Sequence, residues 1–385
     1  MNTVVDYRTR IVSSLSEIGQ IEWDSLVGMQ PDANPFLSFA FLDALHETGC
    51  ASTRSGWQPQ YLTLWQGDRL EAAIPLYVKS HSYGEYVFDW AWAEAYHRNG
   101  LDYYPKLLSA IPFTPVSGSR LLSRSEDASA ALIDALDVIK MDPALSSTHI
   151  LYPPQAQAEA LERAGFTLRT GVQFHWTNES YRTFDDFLAN LERKKRKNIL
   201  AERRKVHDAG ITFRQVRGTL ATEADWRFFK RCYDQTYAAH HSTPYLNLEF
   251  FLRIARDMPQ HLLLIIAVRD GLPIACSLVI HTENTLYGRY WGAIDTVPCL
   301  HFETAYYQPL EFCIQQGIKR FEGGAQGEHK MARGFLPHKT WSAHWLAHPA
   351  FSDAVDRFLV TESDGIDRYF DELNDRNPFR NVKSS

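Results

Sequence analysis

The chain has 385 residues, a hydrophobic fraction of 45%, a charged fraction of 22% and a formal net charge of −6. That length exceeds the size at which one hydrophobic core usually stops growing, which predicts two domains, and the balanced composition excludes a disordered, collagenous or membrane-embedded chain. Cys50, Cys232, Cys276, Cys299 and Cys313 are scattered and form no C-x-x-C pair, which argues against a disulfide framework or a zinc knuckle and fits a reducing compartment.

The amino terminus, MNTVVDYRTRIVSS, has neither the apolar stretch nor the small-residue cleavage site of a secretory leader, so a cytoplasmic location is expected. Residues 60–65 and 70–78 read as two strands joined at Gly67-Asp68-Arg69, residues 85–92 as a third, and residues 103–110 as a helix. Tyr83, Glu85, Asp89, Trp90, Tyr103, Tyr104 and Lys106 make a polar and aromatic set suited to recognition, with the tyrosines expected in the core. Residues 166–176 read as a strand. The polar stretch 177–183 then predicts a boundary between an amino-terminal unit, 1–177, and a carboxyl-terminal unit, 178–385.

A helix is expected over residues 184–209, with Thr183 and Asp186 as its capping box. Residues 193–205 hold eight Lys or Arg against one acid, Glu202. Five of them, Arg193, Lys194, Lys195, Arg196 and Lys197, are consecutive and at 100° per residue cover every side of a helix. The run is either a contact for a polyanion, such as RNA, a nucleotide or anionic lipid, or a solvated face.

Residues 262–268, the turn Arg269-Asp270-Gly271, residues 273–281 and residues 285–292 give a three-stranded meander. Its charged turn excludes a membrane span through this most apolar window. A helix over 301–316, closed by Gly317, and a short strand over 319–322 complete the pattern. The amino half follows the same order, which predicts an internal duplication.

Three antiparallel strands, helix, strand and helix, given twice, resemble a tandem GNAT acyltransferase core such as that of the Fem-type peptidyl transferases. HSYGEYVFDWAWAEAY, YYPKLLSAIPFTPVSGSRLL, RKKRKNILAERR, LYGRYWGA, HFETAYYQ and GAQGEHKMARGFLPHKTWSAHW are similar to segments of the FemAB-like predicted N-acyltransferases. The resemblance covers about residues 34–378. It implies an α/β fold of tandem GNAT-like units with mixed, mainly antiparallel sheets. It also implies transfer of an acyl or aminoacyl group to an amine by direct attack, from an aminoacyl-tRNA or an acyl-CoA, to an acceptor such as a peptide or cell-wall precursor.

Within that frame the residues divide by chemistry. The stretch after 285–292 lacks the glycine turn that holds a CoA pyrophosphate, and Asp295 there would repel a phosphate, which favours the aminoacyl-tRNA donor. Gly324, Gly327, Glu328, His329, Lys330 and Arg333 concentrate functional residue types in one connection after a strand. Glu328 or His329 would be the base, backbone N–H groups at 324–327 or Lys330 would face the oxyanion, and Arg333 would join Lys330 as an anion clamp. Glu303 lies at the start of the 301–316 helix, where an acid also has a structural reason to stand. Strand alternation would place Arg289, Tyr290 and Trp291 along the same groove, Tyr290 as an acid for the leaving oxygen. Lys194, Lys195, Arg196 and Lys197 would hold a polyanionic donor.

No H-E-x-x-H, Walker A, G-x-S-x-G or Rossmann pattern is present, so no metal and no tightly bound cofactor is expected. A non-catalytic binder of a peptide, glycan precursor or RNA is the reading of another class.

Overall fold

The structure is a computed structural model that describes residues 6–324 and 327–380. In chain order the first elements are β1 (Arg8–Val12), α1 (Gln20–Gly28), α2 (Phe39–Glu47), β2 (Trp57–Gln66), β3 (Arg69–Lys79), α3 (Trp90–Arg98) and β4 (Lys106–Ser109). Next come β5 (Leu122–Ser123), α4 (Glu126–Lys140), β6 (Ser147–Leu151), α5 (Gln155–Arg163), β7 (Thr167–Thr177), α6 (Phe184–Asn190), α7 (Arg193–Asp208) and β8 (Ile211–Arg217). The remainder is α8 (Glu223–Ala239), α9 (Leu248–Asp257), β9 (Leu262–Arg269), β10 (Leu272–His281), β11 (Thr285–Ala293), α10 (Leu300–Phe302), α11 (Gln308–Gln316), β12 (Arg320–Glu322), β13 (Leu336–Leu346) and α12 (Pro349–Asp375). Among the described residues no helix is long and apolar enough to cross a membrane.

Two compact units result: Met1–Gly171 with Lys339–Arg368, and Val172–His338 with Tyr369–Ser385. The division differs from a simple split after residue 177, because residues 339–368 group with the first unit. There Ser342–Leu346 pair with β6, and Phe351, Val355 and Leu359 pack on Trp92, Tyr96 and Tyr103.

In unit 1, β1, β2, β3 and β4 are antiparallel neighbours, β6 lies parallel to β4, and β13 is antiparallel to β6. Ala128, Leu132 and Leu136, four residues apart on α4, bury one face against Leu62, Leu64, Ile74 and Leu76. Ser125 starts that helix by accepting the Ala128 N–H. Two local expectations are corrected here. Residues 85–92 are not a strand, and residues 103–110 contain β4 instead of a helix. Pro105 disfavours helical backbone at Tyr104, while Trp92 and Tyr96, four apart and both buried, give α3 its inward stripe.

In unit 2, β8, β9, β10 and β11 are antiparallel neighbours, β12 lies parallel to β11, and β7 is antiparallel to β12. Every residue from Leu262 to Ala267 is buried, so β9 is covered on both faces, which accounts for its unbroken apolar run. A β-carbon on Gly292 would lie 1.9 Å from the Cys232 carbonyl oxygen, so only glycine admits α8 at that distance from β11. The expected long helix over 184–209 is two helices. Leu191 is extended and bridges Phe379, which ends α6, whereas the Thr183–Asp186 capping box forms as predicted.

Candidate active site in the second unit

The strands β11 and β12 pair as far as Tyr287 opposite Glu322, and just beyond that point the Gly323 N–H donates to the Phe174 carbonyl of β7 at 3.2 Å. Gly288 is the matching position on β11. A β-carbon there would press on the Phe321 ring at 3.1 Å, and one on Gly324 would lie 3.6 Å from the Gly288 carbonyl oxygen. At this end of the strand pair the two chains therefore run close together, with the Phe321 ring and the Gly288 carbonyl against glycines that carry no β-carbon.

Glu322 stands at this end of the pair. It is 4% exposed, one oxygen lies 3.1 Å from Arg320 Nε, and Oε2 has no hydrogen-bond partner among the described residues. Burial pushes its carboxyl up to about 7, against the opposing charges of Arg320 and Arg289. Directly across on β7 is His175, 7% exposed, with neither ring nitrogen hydrogen-bonded among the described residues. Its ring stacks on His338 at 4.4 Å. Burial, then His338, Arg320 and Lys330, holds His175 neutral.

At the far end of β11 lies a second feature, an open cleft of about 430 Å³ lined by Thr236, Trp291, Asp295, His301 and Phe302 among others. Its floor is the helix that begins at Leu300. Residues Glu303–Tyr307 form a π-helical turn between α10 and α11. Pro309 lacks the N–H that would bond the Ala305 carbonyl, which favours such widening. The Trp291 and His301 rings lie 4.7 Å apart, tilted by 33°, and the Tyr306 hydroxyl lies 3.3 Å from His329 Nε2. Burial, then His329, Arg333 and Lys330, lowers His301 to about 4.

The residues singled out in the sequence do not all converge. Glu303 is buried and accepts two hydrogen bonds from Arg203, at 3.0 and 3.1 Å, and one from Gln308 at 2.9 Å. Burial raises its carboxyl despite that partner. Glu328 is exposed and accepts from Tyr369 at 2.8 Å and Arg376 at 3.0 Å. Neither acid lines the cleft, and their partners have nothing in common, so the expected shared pocket of Glu303 and Glu328 is not formed.

Arg333 is committed too. It donates to both Glu202 oxygens, at 2.9 and 3.0 Å, and lies 3.5 Å over the Phe302 ring, while Tyr307 also donates to Glu202. Lys330, 2% exposed, donates to the Gly324 carbonyl at 2.9 Å, and burial lowers its ammonium to about 8. The two cations therefore do not form the expected clamp.

His329 is exposed beside Phe302 and Tyr306. Gly324 and Gly327 both have positive φ, and a β-carbon on Gly327 would strike the His329 ring. The other two residues of the expected oxyanion loop, Ala325 and Gln326, lie outside the described residues, as does the start of the amino terminus.

On β11 the alternation fails for a definite reason. Leu278 pairs with Tyr290 and Val279 with Gly288, so Arg289 is the extra residue of a β-bulge. Arg289 folds over the Tyr290 ring and donates to its hydroxyl at 3.1 Å. Tyr290 packs on Tyr233 and Phe251, not in the cleft, while Trp291 does line it.

The basic run lies on α7, where Ile199, Glu202, Arg203 and Val206 make the inward stripe. Lys194 and Lys197 are exposed, and Lys195 and Arg196 half-buried. Among the described residues no three His, Cys, Asp or Glu side chains gather as a metal site.

The FemAB-like family profile, described as peptidoglycan biosynthesis and recognition, matches residues 14–381. The chain belongs to the FemAB-like family. Its fold is that of FemX, with a TM-score of 0.56 at 12% identity over 89% of this chain and 98% of that one. It is also similar to L-PGS from Bacillus licheniformis, with a TM-score of 0.54 at 10% identity over 91% and 98%. No curated protein matches the sequence closely enough to be called a relative. Family and fold together support a transferase of the acyl or aminoacyl kind.

Glu322, His175 and Arg203 are absent from the sequence-derived set. Glu322 ends a strand immediately before two glycines, and His175 alternates with the core residues Phe174 and Trp176. Arg203 was legible from the 199, 202, 203, 206 spacing of the inward stripe.

Proposed function

We propose that the second unit joins an acyl or aminoacyl group to an amine by direct attack, with no metal and no covalent enzyme intermediate. The observation that carries this reading is a buried, incompletely satisfied acid at the point where the pairing of β11 with β12 ends. Amide formation from an ester or thioester needs a place where an amine and a carbonyl meet and a group that accepts a proton. The cleft holding Trp291 and His301 suits a part of the donor remote from the reacting carbonyl, with rings for an apolar or aromatic group. The exposed cations of α7 suit a polyanionic donor such as aminoacyl-tRNA.

An acyl-CoA donor is favoured by one observation of its own. Asp295, which a phosphate would otherwise meet after β11, is ion-paired with Arg269, so its charge is compensated.

The test supplies the protein with charged total tRNA or with acetyl-CoA, together with a lysine-bearing peptide, and follows amide formation by mass spectrometry. Donor-dependent product is expected from one of the two. No product and no donor consumption with either would overturn the reading.

A further inference from the structure

Protein interiors rarely leave polar atoms without partners, and each such atom costs on the order of 1–3 kcal/mol. Three atoms without a hydrogen-bond partner among the described residues lie on one face here: Glu322 Oε2, His175 Nδ1 and His175 Nε2, on side chains more than nine-tenths buried and directly opposed across β12 and β7. Phe321 and Trp176, their neighbours on the same strands, build the hydrophobic core on the other face. The alternation that sends those rings inward turns Glu322 and His175 to one common face.

We propose that Glu322 is the proton acceptor for the amine nucleophile and that His175 is the second polar group contacting that amine, where the pairing of β11 with β12 ends. This rests on the transferase reading above. The substrate class is a primary amine that reacts as its free base. Cationic side chains surround the pair: Arg320 on the same strand, Arg289 on β11 and Lys330 after the glycine turn. Tyr287 on β11 and His338, stacked behind His175, are the remaining titratable groups facing it. Such a field disfavours an ammonium ion and favours the neutral amine. Glu322 is the one acid named there, so the proton has a single carboxylate destination among these groups.

In the step itself the amine lone pair forms the N–C bond to the donor carbonyl, and the amine proton passes to Glu322 Oε2. The carbonyl C–O or C–S bond then breaks with its electron pair leaving on oxygen or sulfur, and Glu322 returns the proton to that atom. No oxidant, metal or further reactant is needed. A base that titrates near neutrality is well matched to this work, since it is ionised in part at pH 7 and still basic enough to accept. Burial gives Glu322 that property.

The experiment measures transfer to the lysine-bearing peptide by wild type, Glu322→Gln and Glu322→Asp between pH 5.5 and 9. Wild-type kcat, which reports the bound complex, should rise with pH and level off above about 7, whereas kcat/KM keeps rising through the titration of the free lysine. Glu322→Gln should lower kcat by roughly 10²- to 10⁴-fold and abolish that acid limb, while Glu322→Asp keeps the limb with an intermediate rate. Donor affinity, measured separately by titration, should be unchanged in both. A Glu322→Gln protein with near wild-type kcat and an intact acid limb overturns the proposal, as do equal losses in the Gln and Asp variants.

Absence of transfer in wild type would instead count against the parent reading, and a second measurement then stands alone. Isotope-edited infrared difference spectra of wild type against Glu322→Gln should show a carboxylic acid band that titrates near pH 7. A band lost in the ordinary carboxylate range overturns the assignment without any assay of activity.

Discussion

Both units bury an ionisable group beside their parallel strand pair, Lys106 on β4 in the first and Glu322 on β12 in the second, yet the two are satisfied very differently. The Lys106 ammonium has three protons and places all three: on Ser82 Oγ at 2.7 Å, Glu85 Oε2 at 2.8 Å and Asp89 Oδ2. Asp89 also accepts from Tyr103 at 2.7 Å, whose hydroxyl lies 3.1 Å from His149 Nε2, and His149 meets His344 through Nδ1 atoms 2.8 Å apart. Burial works against the Lys106 charge, but Glu85 and Asp89 more than offset it and raise the ammonium above its ordinary value. Glu322 has one cation on one oxygen and, among the described residues, no hydrogen bond on the other. Glu85 Oε1 and Asp89 Oδ1 also lack a hydrogen bond among the described residues, but their carboxylates share the buried ammoniums of Lys106 and Lys79, so the charges of that network hold one another in a single arrangement, whereas Glu322 is left with one open oxygen for a substrate.

The largest effect expected from this contrast is structural. Lys106→Met leaves Asp89 buried without its cation and Glu85 with Lys79 alone, 3.8 Å away, and should destabilise the protein by about 3–5 kcal/mol in urea unfolding. Lys330→Met removes an ammonium whose one partner here is a half-buried carbonyl, and should cost about 1 kcal/mol or less. Equal losses would erase the distinction between the units.

Next in size is Arg203. Glu303 is buried against it, and Arg203→Ala strands that carboxylate with Gln308 alone, at a cost of about 2–3 kcal/mol by the same measurement. A loss below about 0.5 kcal/mol would return Glu303 to the set of groups free for chemistry.

A smaller effect is expected on binding. Replacing Lys194, Lys195, Arg196 and Lys197 by Gln should weaken retention on tRNA by roughly tenfold or more and flatten its salt dependence, with stability unchanged. Unaltered retention and slope would make the run a solvated face.

The meander β9 to β11, the helix after it and the capping box at Thr183 were legible because their signals are local: an unbroken apolar run, a charged Gly turn, a Thr three residues before an acid. The site was less so. Residues rich in functional types, Glu328, Arg333 and Glu303, proved to be ion-paired to Arg376, Glu202 and Arg203, partners 48, 131 and 100 residues away in sequence. No spacing rule connects residues that far apart. The amino-half strand and helix at 85–110 failed for another reason. Lys106 reads as a surface residue, and only the network around it explains a strand that starts on a wholly buried lysine.

The subtlest prediction separates Glu322 from Lys106 by pH. The Glu322 carboxyl is raised from 4.5 to about 7 in the folded protein, so between those values the native state keeps a proton that the unfolded chain has released. The unfolded state then binds fewer protons, and stability from this group falls as pH rises through that window and levels off above it. A glutamine carries no such penalty at any pH. Glu322→Gln should therefore add about 1–2 kcal/mol more stability relative to wild type at pH 8 than at pH 5, read from paired urea unfolding curves. The buried histidines behave oppositely. His149 and His301 are lowered to about 3 and about 4, so their contribution is lost on acidification below 6.5, but both proteins share it and it cancels in the difference. Lys106→Met should be destabilising at both pH values, and less so at pH 5, where Glu85, raised by burial to about 7, holds a proton. If Glu322→Gln gives the same difference from wild type at both pH values, its carboxyl titrates where an exposed one would, and the contrast between a filled and an open buried charge fails at its central residue.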